Sequence, residues 1–257
     1  MSTIVKGIDI KNEKNIDAMR QAGRIVATIL GILSKQIKPG METRELDVIA
    51  AREVKRRGAR ASFKGYRGFP ASLCVSVNDE IVHGIPSKRT LHEGDIVSLD
   101  FGAIFNGFQG DAAVTVGVGK ISSTAKQLLE TTEGTLKAGI SAAYAGARLG
   151  DISAAIQNYA ESRGYSVVRE YTGHGIGREM HEEPQIPNFG LSGSGPVLKK
   201  GMTLALEPMV NTGDWHTRVG NDHWTVLTAD GSLSAHFEHT IVITDDEPEV
   251  LTRGIYA

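Results

Sequence analysis

A chain of 257 residues, 40% hydrophobic and 23% charged, has the composition of a globular protein with a sizeable core. Its formal net charge of −2 gives no electrostatic case for nucleic acid, and no apolar run approaches the ~18 residues a membrane-spanning helix needs. Cys74 is the single cysteine, which rules out an internal disulfide and a thiolate zinc site; together with the lack of a basic-then-apolar leader this points to a cytoplasmic protein.

Ile16, Met19, Gly23, Val26, Leu30, Leu33 and Ile37 fall near helical spacing, so a first helix is predicted there, ended by Pro39-Gly40. Thr43 reads as the cap of a second helix that carries Glu45 and Asp47 in its first turn and stops at Arg57-Gly58. Strand-like runs follow from Leu73 to Val77, Ile96 to Phe101 and Ala112 to Val118. Helices return after Ser122-Ser123-Thr124 and near Asp151, and strands from Tyr165 to Tyr171, Met202 to Met209 and His239 to Thr244. Helices followed by antiparallel strands, twice over, predict an α+β fold with helices packed on a curved, mainly antiparallel sheet. The chain reads as one domain over 1–257, built from pseudo-repeats at about 12–120 and 122–250. The segment between Asn211 and His236, which carries Trp215 and Trp224, has no counterpart of equal length in the first repeat.

The repeat is carried by a pattern that ends in a carboxylate each time. Leu91 to Asp100 and Leu198 to Glu207 both read Leu-x2-Gly-x4-Leu-acid, and the two acids stand 107 positions apart. Gly40 and Gly146, and again Gly58 and Gly164, are offset by 106. A further acid follows each copy on a return strand, Asp111 after the first and Glu238 after the second. Asn106-Gly107 between two strand-like runs signals a two-residue hairpin turn. With Phe105 opposite Phe108, Asp100 lies opposite Ala113 and Asp111 opposite Gly102, so both aspartates share one face as diagonal neighbours about 7 Å apart. Uncompensated, such a pair repels, and Glu207 and Glu238 in the same pocket make it worse. A cation is the natural remedy.

Histidines complete the pattern: His174 between Gly173 and Gly175, His181 in Met180-His181-Glu182-Glu183-Pro184, and His83 in Val82-His83-Gly84-Ile85-Pro86. His92, His216, His223, His236 and His239 read as packed or solvent-facing residues, with His239 turned to the strand face opposite Glu238. The glycines around His174 do not form a phosphate-binding motif, and no Gly-x-Ser-x-Gly elbow is present. Oxygen-rich ligation with one imidazole suits Mn(II), Fe(II), Co(II) or Zn(II), and dinuclear metal hydrolysis is the chemistry the residues support.

From about Asn12 to Leu251 these segments resemble the type I methionine aminopeptidases of the M24 metallopeptidases, whose pita-bread fold has two pseudo-symmetric halves. The resemblance rests on Val82 to Pro86, Ser98-Leu99-Asp100, Gly110-Asp111, Gly173 to Gly177, His181 to Pro184, Leu206 to Asn211 and Phe237 to Val242. It implies two divalent ions, one held by Asp100, the other by His174 and Glu207, with Asp111 and Glu238 bridging. It implies that an activated water attacks the peptide carbonyl while Glu207 handles protons, His181 stabilises the carbonyl oxygen and His83 contacts the scissile nitrogen. The substrate's free amino group would lie on the Asp100 side. The methionine pocket maps onto Phe63, Tyr66, Phe69, Cys74, Met180 and Trp224, where several family members have Cys in place of Phe63, Tyr in place of Phe69 and Phe in place of Met180. The implied activity is removal of the initiator methionine from nascent chains when the second residue is small, by a cytoplasmic monomer with the ribosome as a candidate partner and no direct nucleic-acid or membrane binding. The rival readings are another aminopeptidase of the same fold, such as a proline-specific one, normally with an additional N-terminal domain, and a noncatalytic binding protein that has lost its ligands.

Overall fold

In the computed structural model, residues 3–5 and 7–254 are described, with side chains from residue 7 onward. Up to residue 117 the elements are β1 (Thr3–Val5), β2 (Ile8–Ile10), α1 (Glu13–Gln36), α2 (Thr43–Arg56), β3 (Arg60–Ala61), β4 (Cys74–Val77), β5 (Glu80–Val82), β6 (Ile96–Phe105) and β7 (Phe108–Gly117). Then come α3 (Ser123–Ser141), α4 (Leu149–Glu161), β8 (Ser166–Val167), β9 (Thr172–Gly175), β10 (Glu182–Pro187), β11 (Thr203–Leu206) and β12 (Met209–Asn211). The last strands are β13 (Thr217–Val219), β14 (Val226–Thr228), β15 (Ser234–His236), β16 (Glu238–Val242) and β17 (Glu249–Val250).

The largest sheet runs β10-β9-β11-β16-β7-β6-β3, with β4 also paired to β6 and β17 to β16. Every pairing in it is antiparallel. Helix α1 starts where the Asn12 side chain accepts the Asn15 N–H at 3.0 Å, and it buries Val26, Ile29, Leu30 and Leu33 in the same core as Leu99 and Phe101 of β6. Each such fully buried side chain contributes roughly 1.5–3 kcal/mol relative to exposure. Helix α2 is not capped by Thr43, which is its first helical residue. Glu42 precedes it, and the Glu42 N–H donates to Glu45 Oε1 at 2.8 Å. Asp47 turns away to accept the N–H groups of Ser72 and Leu73, pinning the approach to β4.

The hairpin forms with Asn106 at φ 51° and Gly107 at φ 76°, the two left-handed positions such a turn needs, and Phe105 pairs with Phe108. The run from Met202 to Met209 is broken at Glu207-Pro208, because proline has no N–H for the ladder, so β11 and β12 belong to different sheets. The strand expected from Tyr165 to Tyr171 shrinks to the two residues of β8, which pair only with β12.

The repeated segments make matching main-chain bonds. Gly40 N–H donates to Leu91 O and Gly146 N–H to Leu198 O; Leu91 N–H donates to Met41 O and Leu198 N–H to Ala147 O, all at 2.8–3.0 Å. Gly94 and Gly201 both take left-handed backbone, at φ 94° and 86°, and donate to Val118 O and Ile243 O.

Candidate active site

Strand register alone brings the acids together. Asp100 on β6 lies opposite Ala113 on β7, and Ala113 lies opposite Glu238 on β16. Asp111 is two residues from Ala113, so all three carboxylates share one sheet face. Ala205 on β11 lies opposite Thr240 on one side and His174 of β9 on the other, which by the same parity puts Glu207 and His174 on that face. The alternate positions Leu99, Phe101, Ala112, Val114, Leu204, Leu206 and Ile241 fill the apolar core. One face of the sheet is core and the other is chemistry.

Ligand atoms of Asp111, His174 and Glu238 lie within 4.8 Å of one another, and His174 Nε2 is 3.5 Å from Glu207 Oε1. His174 Nδ1 lies 2.9 Å from the Gly175 carbonyl, which can only accept, so Nδ1 carries the hydrogen and Nε2 presents its lone pair to the carboxylates. Burial pushes the His174 pKa down to about 3, with His181 adding to the effect, so the ring is neutral. Burial pushes the Asp111 carboxyl up to about 7. It also raises Asp100, Glu207 and Glu238 well above the usual carboxylate range, reinforced by their mutual repulsion. Asp100 Oδ1, Asp111 Oδ1 and Glu238 Oε1 are buried without a hydrogen-bond partner. Buried orphan acceptors that converge beside a neutral imidazole lone pair fit a divalent cation, the one group that satisfies all of them together.

These residues floor a cleft whose lining includes every site residue singled out from the sequence. Phe69 and Trp224 meet edge to face at 5.2 Å and form an apolar wall with Cys74 and Phe63. Trp224 reaches the wall because β14 pairs with β5, Val226 opposite Val82, which also sets it beside His83 at a ring separation of 6.4 Å. Met180 packs with Met19, Phe63 and Tyr66. Gly102 makes room here: a Cβ would lie 2.9 Å from Met180 Cε and 3.0 Å from Phe63 Cε1. His83 follows β5 with φ 60°, an uncommon conformation for a residue with a side chain, and burial holds its pKa down at about 4. His181 stands at the mouth, its Nδ1 2.9 Å from the Tyr66 hydroxyl and its ring stacked on Tyr66 and tilted against His174. Partial burial lowers its pKa, and Arg67 adds to this.

Arg67 is the lining residue that motif reading passes over. It occupies a left-handed position, φ 49°, in the turn Tyr66–Gly68, with its guanidinium 5.4 Å from the Tyr66 ring centroid. The flanking Gly65 and Gly68 are the only sequence signal of that turn.

Comparison with known proteins bears on the family and the fold. The sequence matches metallopeptidase family M24 over residues 17–245. It is 54% identical to the methionine aminopeptidase of Clostridium acetobutylicum, over 95% of this chain and 98% of that one. It is likewise 54% identical to methionine aminopeptidase 1 of Bacillus subtilis over 243 residues, again 95% and 98% of the two chains. The crystal structure of the Thermotoga maritima methionine aminopeptidase superposes with a TM-score of 0.94 at 48% identity, covering 95% of this chain and 99% of that one. The chain belongs to metallopeptidase family M24, and within it to the type I methionine aminopeptidases. Its architecture is the pita-bread fold, shared with a prolidase from Pyrococcus furiosus at a TM-score of 0.77 but only 22% identity, a likeness of fold alone.

Proposed function

We infer that the protein is a metal-dependent aminopeptidase that removes N-terminal methionine, acting on nascent polypeptides whose second residue is small. The observation that carries this reading is the convergence of four carboxylates, buried at Asp111 and Glu238 and partly exposed to the cleft at Asp100 and Glu207, with the Nε2 lone pair of His174 at the floor of a cleft walled by Phe63, Phe69, Cys74, Met180 and Trp224. Asp100 would hold one divalent ion, His174 and Glu207 a second, with Asp111 and Glu238 between them, and the ion type is one of Mn(II), Fe(II), Co(II) or Zn(II). Bound there, such ions supply Lewis acidity and bring the pKa of water toward ~7.

The side chains do the rest. A Glu207 carboxylate oxygen accepts the proton of the attacking water and returns it to the departing nitrogen. Tyr66 donates its hydroxyl hydrogen to His181 Nδ1, which keeps the Nε2 hydrogen available for the carbonyl oxygen as charge develops there. His83, fixed between Tyr171 and Trp224, contacts the scissile nitrogen. The polarisable wall suits a thioether side chain. Because the carboxylates lie at a buried, sheet-backed floor, with Asp111 and Glu238 at most 5% exposed, a chain end can reach them and a continuous chain cannot.

The chain forms a single catalytic domain of two related halves, about 12–120 and 122–250, as the matched bonds at Gly40 and Gly146 support. No helix among the described residues is long and apolar enough to cross a membrane. We propose, from the aminopeptidase reading alone, a cytoplasmic monomer that meets its substrates at or near the ribosome. Relatives at 54% identity favour methionine over the proline-directed alternative, whose structures match at about 22%. The deciding assay offers Met-Ala-Ser, Leu-Ala-Ser and Met-Lys-Ser peptides to the Mn(II)- or Co(II)-supplemented protein. Cleavage of the first alone is expected, and equal cleavage of Leu-Ala-Ser would overturn the assignment.

A further inference from the structure

The turn between β9 and β10 carries both Met180, in the pocket wall, and His181, at its mouth. Ladder pairing does not hold this turn rigidly, since the β9–β10 register shifts between Glu182 and Gln185. Its first half is held by β7, where the Gln109 N–H donates to the Gly177 carbonyl at 2.8 Å and Gln109 Nε2 to the Arg178 carbonyl at 3.1 Å; the half that carries Met180 and His181 is gripped from near the start of the chain. Lys11, just before α1, is only 4% exposed, and its ammonium forms an ion pair with Glu182, lies 3.2 Å from Asp9 Oδ2 and donates to the Asp9 carbonyl at 3.3 Å. Glu182 is the residue after His181, and its second oxygen, Oε1, accepts the Glu179 N–H at 3.2 Å, so one carboxylate closes the turn and fastens it to Lys11. The fit is close. A Cβ on Gly177 would fall 2.4 Å from Lys11 Cε and 2.6 Å from Glu182 Oε1. Lys11 is itself immobilised, because its N–H donates to the Gly201 carbonyl at 2.8 Å, at the turn that leads into β11 and on to Glu207.

We propose that Lys11 is a positioning residue for the reaction: through Glu182 it sets where His181 and Met180 stand relative to the substrate. The proposal rests on the aminopeptidase reading for its kinetic consequence. A lysine that only fastened the N-terminal segment would alter stability without depending on His181. A buried ammonium held by two carboxylates is costly to desolvate, and removing it leaves the Glu182 carboxylate without its ion-pair partner, with the 3.2 Å bond from the Glu179 N–H to resist its swing toward solvent. An ångström-scale displacement of a catalytic group is enough to cost one to two orders of magnitude in rate.

The test uses the full-length, Mn(II)-supplemented protein and Met-Ala-Ser as substrate, with variants Lys11→Met, Lys11→Arg and Glu182→Gln, each also combined with His181→Ala. Lys11→Met should lower kcat about tenfold to a hundredfold while retaining metal, Lys11→Arg should recover most of that loss, and Lys11→Met should change little further once His181 is already alanine. Amide hydrogen exchange should accelerate over residues 176–182 in Lys11→Met and not elsewhere in the sheet. If Lys11→Met does not fold, Glu182→Gln, which keeps the side-chain shape, carries the same comparison. A kinetic loss equally large in the His181→Ala background, or unchanged exchange over residues 176–182, overturns the proposal. Failure of the unmodified protein to cleave the peptide would instead overturn the aminopeptidase reading, and the exchange measurement would still decide whether Lys11 holds the turn.

Discussion

At His174 the Nδ1 hydrogen is committed to the Gly175 carbonyl, so only Nε2 can face the carboxylates; at His83 burial keeps the ring neutral, and no carboxylate among the described residues forms an ion pair with it. The two histidines therefore separate binding from turnover. His83→Ala is expected to keep its metal and lose at least about a hundredfold in kcat, whereas Asp111→Ala loses metal as well. Metal analysis of the purified variants beside their kinetics checks this, and metal depletion in His83→Ala would contradict the division of labour. Tyr66 offers a finer test. Removing its hydroxyl leaves the stacked ring but frees His181 Nδ1, so Tyr66→Phe should lower kcat about tenfold with KM nearly unchanged, a split that steady-state kinetics reads directly. Of these contacts, the residue types at His83, His174 and His181 were evident in their glycine- and proline-flanked motifs. The Tyr66 hydroxyl and the Arg67 guanidinium were not, because the turn that aims them joins segments more than a hundred positions from His181.

Among the elements, the β6–β7 hairpin is the one whose geometry followed most directly from sequence: Asn106-Gly107 specifies the turn, the turn specifies the register, and the register specifies that Asp100 and Asp111 share a face. The segment carrying His83 is different in kind. Gly84 sits where a Cβ would be 2.2 Å from the Val75 carbonyl oxygen, because its N–H donates to Ser76 Oγ at 3.1 Å and its carbonyl accepts the Val75 N–H at 2.9 Å. Nothing flexible can yield there. Gly84→Ala should destabilise the fold by about 2–4 kcal/mol and displace His83, which thermal unfolding and activity measured together will show; a variant of unchanged stability would mean that β4 can shift at little cost. Conversely, the strand reading over Tyr165 to Tyr171 failed because a β-branched, aromatic run records only the ability to pair. Here β12 is available to pair with two residues alone.

At the scale of the whole molecule, the site works against the stability of the metal-free fold. Asp111 has its pKa raised from 3.8 to about 7, so its contribution to stability is full below the unfolded value and is lost as pH rises through about 7. His174 has its pKa lowered from 6.5 to about 3, so its contribution is present above the unfolded value and is lost as pH falls toward about 3. A divalent ion selects ionised Asp111 and neutral His174; the His174 ring is already neutral well above about pH 3, so between about pH 5 and pH 8 it is the ionisation of Asp111 that strengthens binding as pH rises. The gap in melting temperature between Mn(II)-loaded and chelator-treated protein should therefore widen from about pH 5 to about pH 8, and a gap that narrows would contradict a carboxylate-held ion. By itself the sequence determined what local pattern can encode: the helix periods, the hairpin register, the duplicated acid pattern and the histidine motifs, each a property of neighbouring residues. The tertiary structure decided what depends on strand order: that β16 inserts between β7 and β11 and so sets Glu238 beside Asp111, that β14 pairs with β5 and carries Trp224 to His83, and that Lys11 reaches Glu182. Those contacts join residues from opposite ends of the chain, and only the packing of the whole sheet, with one face apolar and the other lined with acids, selects them from the alternatives.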